Sequence, residues 1–268
     1  MSALEWVAEA AGARPGRVTL LPGTSFHRNE AIELRGAEPV VLRRWAGAGW
    51  ERTDAEFDAR REAAVLALLA DTPVPAPRLL AVGVGGERCG VPALLVSLLP
   101  GRPPGDDLDP TVVVDGMARL ADAIHAVDAA GRVPPYRRYV APERLAQPAW
   151  SRRPELWQRA VEVARGAAPP LPDCLIHRDF HPGNTLWEGE RLTGVVDWSY
   201  ASWGPAAVDA ASLRWNLAVD HGPGTAARVP GAHPYWDVVT VLDVACEDPA
   251  ADDGIGEALE RHLEAVLG

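Results

Sequence analysis

The sequence predicts an α+β fold in two parts, a small antiparallel sheet with one helix against it and then a mainly helical part. Up to about residue 100, short extended runs alternate with turn residues, which is typical of an antiparallel meander. From residue 111 onward, apolar residues recur mostly at helical spacing. A proline- and glycine-rich stretch, residues 100–105, separates the two patterns. We therefore place the domain boundary there, between 1–100 and 101–268.

The first part has a predicted order of helix, three strands, helix and two strands. A short amphipathic helix over residues 1–15 ends near Gly12, and a second helix covers 56–69, with Pro73 just beyond its end. Gly85 and Gly86 form the turn of a hairpin between the last two strands. The strands are predicted at residues 18–21, 31–34, 40–45, 79–84 and 91–98.

The second part is predicted to be helical around one motif-bearing loop. Residues 130–150 are rich in proline and arginine and read as a loop. The motif described below follows a second proline-rich stretch, residues 169–172. The helices are predicted at residues 111–129, 155–165, 206–219, 235–247 and 255–267.

The charged residues exclude some mechanisms. All 26 basic residues are arginine, so a Schiff base, a pyridoxal phosphate anchor and the usual P-loop lysine are excluded. The net charge of −11 is uneven: residues 1–100 carry 12 acidic residues and 11 arginines (−1), and residues 101–268 carry 25 and 15 (−10). This argues against nucleic acid as a partner and suits a cationic small molecule. The alternative is that the acidic excess only keeps the protein soluble.

The cysteines and the N-terminus indicate a cytoplasmic protein that does not enter a membrane. The three cysteines are far apart and form no Cys-x-x-Cys pair, which favours reduced thiols over disulfides or a zinc site. The first residues lack the basic and apolar regions of a signal peptide. No apolar run approaches the roughly 18 residues of a membrane span.

The most specific motif is His-Arg-Asp-Phe-His-Pro-Gly-Asn over residues 177–184, followed by Asp197-Trp198 after a short predicted hairpin. Asp179 and Asn184 have the Asp-x-x-x-x-Asn spacing of kinase catalytic loops. Phosphoryl transfer requires two ligands for magnesium and one positioned carboxylate. We predict Asp179 as the catalytic carboxylate and Asn184 and Asp197 as Mg²⁺ ligands.

Other readings of the same residues remain open. Asp179 alone is compatible with a loop cap, and an Asn after Pro-Gly is normally a turn residue. His177, Asp179 and His181 have the spacing of a hydrolase metal cluster, but that reading leaves Asp197 unexplained. We expect both histidines to be structural, bonding backbone carbonyls of the loop.

Taken with the two-part layout, these motifs resemble the aminoglycoside phosphotransferase family, within the protein-kinase-like fold. The motif core and the Asp-Trp pair carry the resemblance, supported by Gly204-Pro205 with Asp209, and it extends over roughly residues 18–215. It implies a bilobal fold with ATP and Mg²⁺ between the lobes, and transfer of the γ-phosphate to a hydroxyl of a small molecule. It also suggests that Asp209 braces the catalytic loop. His125 matches a family position and is expected to be a packed core histidine.

The resemblance also implies nucleotide-binding residues in the first lobe. Arg43 matches the position of the kinase strand lysine, with Glu62 as its helix partner. Arg44 lies on the opposite strand face, so only one of the two arginines can face the nucleotide, and a surface arginine is the alternative.

Two backbone segments complete the implied nucleotide site. The loop containing Gly23, Thr24 and Ser25 is expected to cover the triphosphate, although it lacks the Gly-x-Gly-x-x-Gly pattern. Ser97 to Leu99 are expected to form the hinge whose backbone bonds adenine.

The acceptor is left open by the sequence. An aminoglycoside antibiotic fits the acidic second part, and a macrolide or metabolite kinase of the same fold is the alternative. Tryptophans could build an apolar acceptor wall or simply pack in the core. A nucleotide-binding pseudokinase is the third possibility. The tryptophans concerned are Trp150, Trp157, Trp203, Trp215 and Trp236.

Overall fold

The computed structural model describes residues 2–22, 27–46, 58–247 and 255–268. The chain forms two compact units. The first comprises Met1–Arg102 with the later segments Thr185–Glu188 and Leu192–Ala201, and the second comprises Pro103–Asn184, Gly189–Arg191 and Ser202–Gly268. The predicted domain ranges, 1–100 and 101–268, stay a prediction.

The elements of the two units follow one another as the sequence pattern predicts, with additional short strands around the motif. The helices are α1 (Ala3–Ala11), α2 (Ala59–Leu69), α3 (Pro110–His125), α4 (Pro154–Arg165), α5 (Ala207–His221), α6 (Pro223–Ala226), α7 (Pro234–Glu247) and α8 (Ile255–Leu267). The strands are β1 (Pro15–Leu20), β2 (Arg28–Leu34), β3 (Ala37–Arg44), β4 (Leu79–Gly83), β5 (Ala93–Ser97), β6 (Asp173–Ile176), β7 (Thr185–Glu188), β8 (Arg191–Val195) and β9 (Ser202–Pro205). The predicted N-terminal sheet and helical remainder are confirmed.

The first unit is built on an antiparallel sheet in the order β1-β2-β3-β5-β4. Ser2 and Glu5 cap α1 reciprocally, each side chain bonding the other's backbone N–H. Asp58 caps α2 by accepting from the backbone N–H of Arg60 at 3.0 Å. Trp6 and other apolar side chains of α1, β2, β3 and β5 form a buried cluster. This packing fixes the strand that carries Arg43.

The β7–β8 hairpin leads directly from the motif to Asp197. Gly101 lies beside this hairpin with φ +99°, and a Cβ there would come within 2.6 Å of the hydroxyl of Thr193 and 2.8 Å of the carbonyl of Trp187. Only glycine suits this position, because it tolerates both the left-handed backbone and the close approach.

The second unit packs α4, α5, α7 and α8 around a shared apolar core that includes Trp157 and Trp236. Strands β6 and β9 pair antiparallel and support the residues that follow Ile176. α3 ends at His125 and not at the predicted residue 129: the N–H of Val127 bonds the carbonyl of Ile124 in a tighter last turn, and the Asp128 carboxylate then bonds the backbone N–H of Ala130. Among the described helices, none has the length and apolar character needed to cross a bilayer.

Candidate active site

In the first unit, Arg43 is the centre of a buried polar cluster. Its Nε donates to Oε2 of Glu62 at 2.8 Å, and its Nη2 donates to Oδ1 of Asp197 at 2.5 Å. Arg44 lies on the opposite strand face, where it bonds Glu30 at 2.5 Å. Of the two candidate arginines, Arg43 therefore is the one that meets both Glu62 and Asp197.

The local backbone holds Asp197 at this place. Asp197 follows β8 with φ +66° and opens a single 3-10 turn, Trp198–Tyr200. The indole of Trp198 is fully buried and donates to the carbonyl of Val195 at 3.2 Å. Arg61, beside Glu62 in α2, donates to the carbonyls of Tyr200 and Ala201. Two adjacent side chains of α2 thus contact the same turn.

Two members of this cluster were missed by the sequence analysis. The hydroxyl of Ser199 accepts from Nη2 of Arg43 at 3.2 Å and lies 3.0 Å from Glu62 Oε2 and 3.1 Å from Asp197 Oδ1. Its single proton can be donated to only one of these carboxylates at a time. His27 lies 3.3 Å from the same guanidinium. The sequence feature that could have identified Ser199 is its position two residues after Asp197.

Burial and charge set the protonation states of the cluster. Burial, reinforced by the Arg43 charge, lowers the pKa of His27 to about 3, so its imidazole is neutral at pH 7. Burial alone would lower the pKa of Arg43, but the carboxylates of Asp197 and Glu62 outweigh this effect, and the pKa of Arg43 is raised. Burial raises the pKa of Glu62, although Arg43 works against this. The positive charge of the guanidinium offsets the repulsion between the two carboxylates.

Among the residues that the structure describes, the one group with three possible metal ligands is His27, Glu62 and Asp197, with ligand atoms within 4.8 Å of one another. The predicted alternative, a cluster of His177, Asp179 and His181, is not such a group. In the observed arrangement the Arg43 guanidinium contacts the side chains of His27, Glu62 and Asp197.

The predicted hinge residues differ in their backbone bonding. The N–H of Ser97 donates to the carbonyl of Arg78, and its hydroxyl accepts from the N–H of Arg78, both at 2.9 Å. Within the described residues, the backbone N–H and carbonyl of Leu99 make no hydrogen bond. Leu99 therefore offers the free backbone donor and acceptor in this segment. Gly23, Thr24 and Ser25, predicted to cover the triphosphate, lie outside the described residues.

In the second unit, Asp179 and Asn184 contact each other directly. The Asn184 Nδ2 donates to the Asp179 backbone carbonyl at 2.9 Å and to its Oδ2 at 3.0 Å. Because both partners are acceptors, the amide nitrogen must face them. This leaves Oδ1 of Asn184, which accepts no hydrogen bond from the described residues, as an available oxygen ligand. The Asp179 side chain is 40% exposed, so solvent and ligands can reach its carboxylate.

Asp209, at the start of α5, braces the backbone before Asp179. Its fully buried carboxylate accepts from the N–H of His177 at 2.9 Å and of Arg178 at 2.7 Å. His125 Nε2 lies 2.9 Å from the same carboxylate. His125 is thus a hydrogen-bonding partner, and the expectation of simple core packing for it was wrong.

The motif histidines behave differently from one another. His177 is fully buried and its ring packs 6.1 Å from that of Phe180. His181 accepts a hydrogen bond from the N–H of Gly183 at 3.2 Å, and its Nε2 lies 3.7 Å from Asp179. The bond at His181 runs to a backbone donor, whereas the expectation was a carbonyl acceptor.

Most of the tryptophans considered for an acceptor wall are part of the core. Trp157 and Trp236 are buried in the core of the second unit, and Trp150 and Trp215 pack against it. Trp150 and Trp157 meet edge to face, with ring centroids 5.5 Å apart. Packing explains these four side chains.

The family is established by comparison with known proteins. The profile of the phosphotransferase enzyme family (APH) matches residues 19–242. Fold and family together define a phosphotransferase of the class that modifies small molecules. The chain belongs to the APH phosphotransferase enzyme family. None of the curated proteins compared with it matches.

Solved structures share the fold at low sequence identity. A thermostable mutant of aminoglycoside phosphotransferase APH(4)-Ia, in a ternary complex with ADP and hygromycin B, is 19% identical over 100% of this chain and 98% of that chain, with a TM-score of 0.67. A putative aminoglycoside phosphotransferase from Ralstonia eutropha JMP134 is 15% identical over 98% and 95%, with a TM-score of 0.66. A macrolide 2'-phosphotransferase from Brachybacterium faecium is 19% identical over 98% and 86%, with a TM-score of 0.60.

Proposed function

We propose that the protein transfers the γ-phosphate of ATP, with Mg²⁺, to a hydroxyl of a small and cationic molecule. The observation that carries the proposal is the hydrogen-bonded pair Asp179 and Asn184 in the motif loop. This pair combines a solvent-accessible carboxylate with an amide oxygen that is available to a cation. Family membership supplies the reaction class, and the residues below supply the roles.

Asp179 is proposed as the carboxylate that orients the acceptor hydroxyl. Asn184 fixes one of its oxygens, and the 40% exposure of the side chain leaves room for an acceptor. Because the phosphoryl transition state is loose, positioning matters more than early proton removal. Asp179 therefore accepts the hydroxyl hydrogen bond first and takes the proton as the acceptor oxygen bonds the γ-phosphorus and the bond to the β–γ bridging oxygen breaks, which releases ADP.

The ligands proposed for Mg²⁺ are Asn184 and Asp197. Both offer hard oxygen atoms, the donor type that Mg²⁺ prefers. The free Oδ1 of Asn184 supports this fit, since its amide nitrogen is committed to Asp179. A bound Mg²⁺ would neutralise the phosphate oxygens and align the γ-phosphate for attack.

Arg43 is proposed to bind the α- and β-phosphates, with Glu62 holding its guanidinium in place. An arginine fork can bond a carboxylate and a phosphate at once, which a lysine ammonium does less well. The Nε of Arg43 is committed to Glu62, and its Nη2 is committed to Asp197. Nη1 donates to Asn29 at 3.3 Å, so phosphate binding by Arg43 is proposed to use the second N–H of Nη1 or to exchange one of these contacts for a phosphate oxygen. Leu99, with its unbonded backbone groups, is proposed to bond the nucleotide base, and Ser97 to border it. The loop of Gly23, Thr24 and Ser25 is proposed to cover the phosphates.

The acceptor is proposed to be an aminoglycoside. The acidic residues of the second part of the chain give residues 101–268 a net charge of −10, which favours a polycation. Structural neighbours include an aminoglycoside phosphotransferase solved with hygromycin B. A macrolide is the second candidate, because a macrolide 2'-phosphotransferase shares the fold.

The test is transfer of labelled γ-phosphate to a panel of aminoglycosides, macrolides and hydroxylated metabolites, with the products identified by mass spectrometry. We expect one aminoglycoside to gain a single phosphate in a Mg²⁺-dependent reaction. Phosphorylation of a macrolide alone would replace the proposed acceptor. Tight nucleotide binding with transfer to no member of the panel would instead support a nucleotide-binding pseudokinase.

A further inference from the structure

The 134–140 segment, between α3 and α4, has no helix or strand, yet one end of it is attached to β9. The carbonyl of Pro134 accepts from the N–H of Trp203, and the N–H of Tyr136 donates to the carbonyl of Trp203, both at 2.8 Å. A Cβ on Gly204 would come within 2.5 Å of Tyr136 Cβ. Glycine at this position in β9 therefore allows the segment to lie directly against the strand.

The other end of the 134–140 segment is attached to α7. The nearly buried carboxylate of Asp243 accepts from the backbone N–H groups of Tyr139 and Val140, each at 3.3 Å. Arg138 donates to the carbonyl of Ala164 at 2.7 Å. One carboxylate on a core helix thus fixes two successive peptide groups of an otherwise irregular segment.

What the segment encloses is the side chain of Arg178. Its guanidinium carbon lies 4.1 Å from the ring centroid of Tyr139 and 5.3 Å from that of Tyr136. Its Nη2 donates to the carbonyl of Arg137 at 2.5 Å. Arg178 is 5% exposed, so these contacts replace most of its hydration.

Arg178 has a strained backbone next to the proposed catalytic carboxylate. Its φ is +73°, a conformation that residues with a side chain rarely adopt and that persists only when the surroundings enforce it. Asp209 holds the N–H of Arg178, while the 134–140 segment holds its side chain. The next residue is Asp179, so the backbone angle at 178 sets the direction in which the Asp179 side chain leaves the loop.

We propose that Tyr139, held by Asp243, is a positioning residue for phosphoryl transfer: it fixes Arg178 in the left-handed conformation and thereby aims Asp179. The inference rests on the proposed function for its catalytic consequence. Tyr139 and Asp243 lie outside the family motif, at least 38 residues from it in sequence, and the proposed route from Tyr139 to Asp179 runs through Arg178.

The kinetic test compares Tyr139→Leu, which removes the aromatic face, with Tyr139→Phe, which keeps it. Loss of a partly desolvated cation–π contact is expected to lower kcat about tenfold, with the KM for ATP within about twofold of wild type. Tyr139→Phe should retain most of the turnover. Tyr139 is 37% exposed, so neither change should prevent folding. Turnover is measured as ATP hydrolysis and as transfer to whichever acceptor the panel identifies.

Hydrogen exchange of the motif loop separates this inference from the proposed function. The peptide that contains residues 177–184 should exchange faster in Tyr139→Leu and in Asp243→Asn than in wild type and Tyr139→Phe, while peptides of α5 remain unchanged. Faster exchange supports the positioning role even if wild type modifies no acceptor. Unchanged exchange in Tyr139→Leu, or a wild-type kcat in that variant, would overturn it.

Discussion

Replacing Arg43 by methionine should destabilise the protein in a pH-dependent way. The change keeps a side chain of similar length but leaves the buried Glu62 and the 12% exposed Asp197 as two carboxylates whose ligand atoms lie within 4.8 Å of each other. At an effective dielectric constant near 20, two unit charges at that separation repel by about 3.5 kcal/mol. We expect the free energy of unfolding to fall by roughly that amount at pH 8, because the compensating guanidinium is gone.

The pH dependence has a definite sign. Burial already raises the pKa of Glu62 in the folded protein, and removing Arg43 must raise it further. A carboxyl group whose pKa is higher in the folded state than in the unfolded state stabilises the folded state at pH values below the unfolded-state pKa. This stabilisation is lost as the pH rises through the folded-state pKa. The Arg43→Met defect should therefore be large at pH 8 and shrink towards pH 5.

Urea unfolding followed by tryptophan fluorescence, in EDTA and without nucleotide, measures this effect. Arg44→Met is the matched control, since Arg44 occupies the next position on the other strand face and its partner Glu30 keeps a second ion pair with Arg28. It should lower the free energy of unfolding by about 1 kcal/mol or less. Equal losses of unfolding free energy in Arg43→Met and Arg44→Met would refute the electrostatic role assigned to Arg43. A loss in Arg43→Met that is the same at pH 5 and pH 8 would refute it as well.

Three further predictions follow from single contacts. Ser199→Ala should lower the free energy of unfolding by about 2 kcal/mol, since the fully buried hydroxyl bonds charged groups. Ser97 is partly exposed, and Ser97→Ala should lower the free energy of unfolding by less than about 1 kcal/mol. Equal effects of the two changes in urea unfolding would contradict this. Gly194→Ala should raise the KM for ATP without lowering kcat, because the new Cβ would come within 2.6 Å of Leu99 Cδ1 and 3.4 Å of Leu99 Cβ and so push on the residue whose backbone is proposed to bond the base. An unchanged KM would argue against Leu99 as the base-binding residue. Burial, with the Arg214 charge adding to it, lowers the pKa of His262 to about 4, so wild type should lose up to about 3 kcal/mol between pH 6.5 and pH 4. His262→Gln should remove most of that acid sensitivity, and an equally steep loss in the variant would count against it.

The parts of the fold and site that rest on local sequence were predictable. Helical and strand periodicity placed the elements of the first unit, and the alternation of β3 implied that Arg43 and Arg44 face opposite ways. The five-residue spacing of Asp179 and Asn184 is short enough for a direct contact, which the structure shows. These features depend on residues that lie close to each other in the sequence.

The parts that depend on distant packing were not predictable. Asp243 binds the backbone near Tyr139 across about a hundred residues of sequence, and no periodicity links the two. His27 and Ser199 join the Arg43 cluster only because β2, β3 and the turn after β8 come together in the folded unit. In each case one side chain's hydrogen bonds outweigh the local pattern.

The most direct test of the central claim is Asp179→Asn, measured for both ATP binding and phosphoryl transfer to the acceptor. Asparagine keeps the size of the side chain but cannot take the acceptor's proton. The account predicts a loss of turnover of at least about a hundredfold, with the Kd for ATP–Mg²⁺ within about twofold of wild type. Turnover near the wild-type level in this variant would contradict the assignment of Asp179 and, with it, the proposed chemistry of the motif loop.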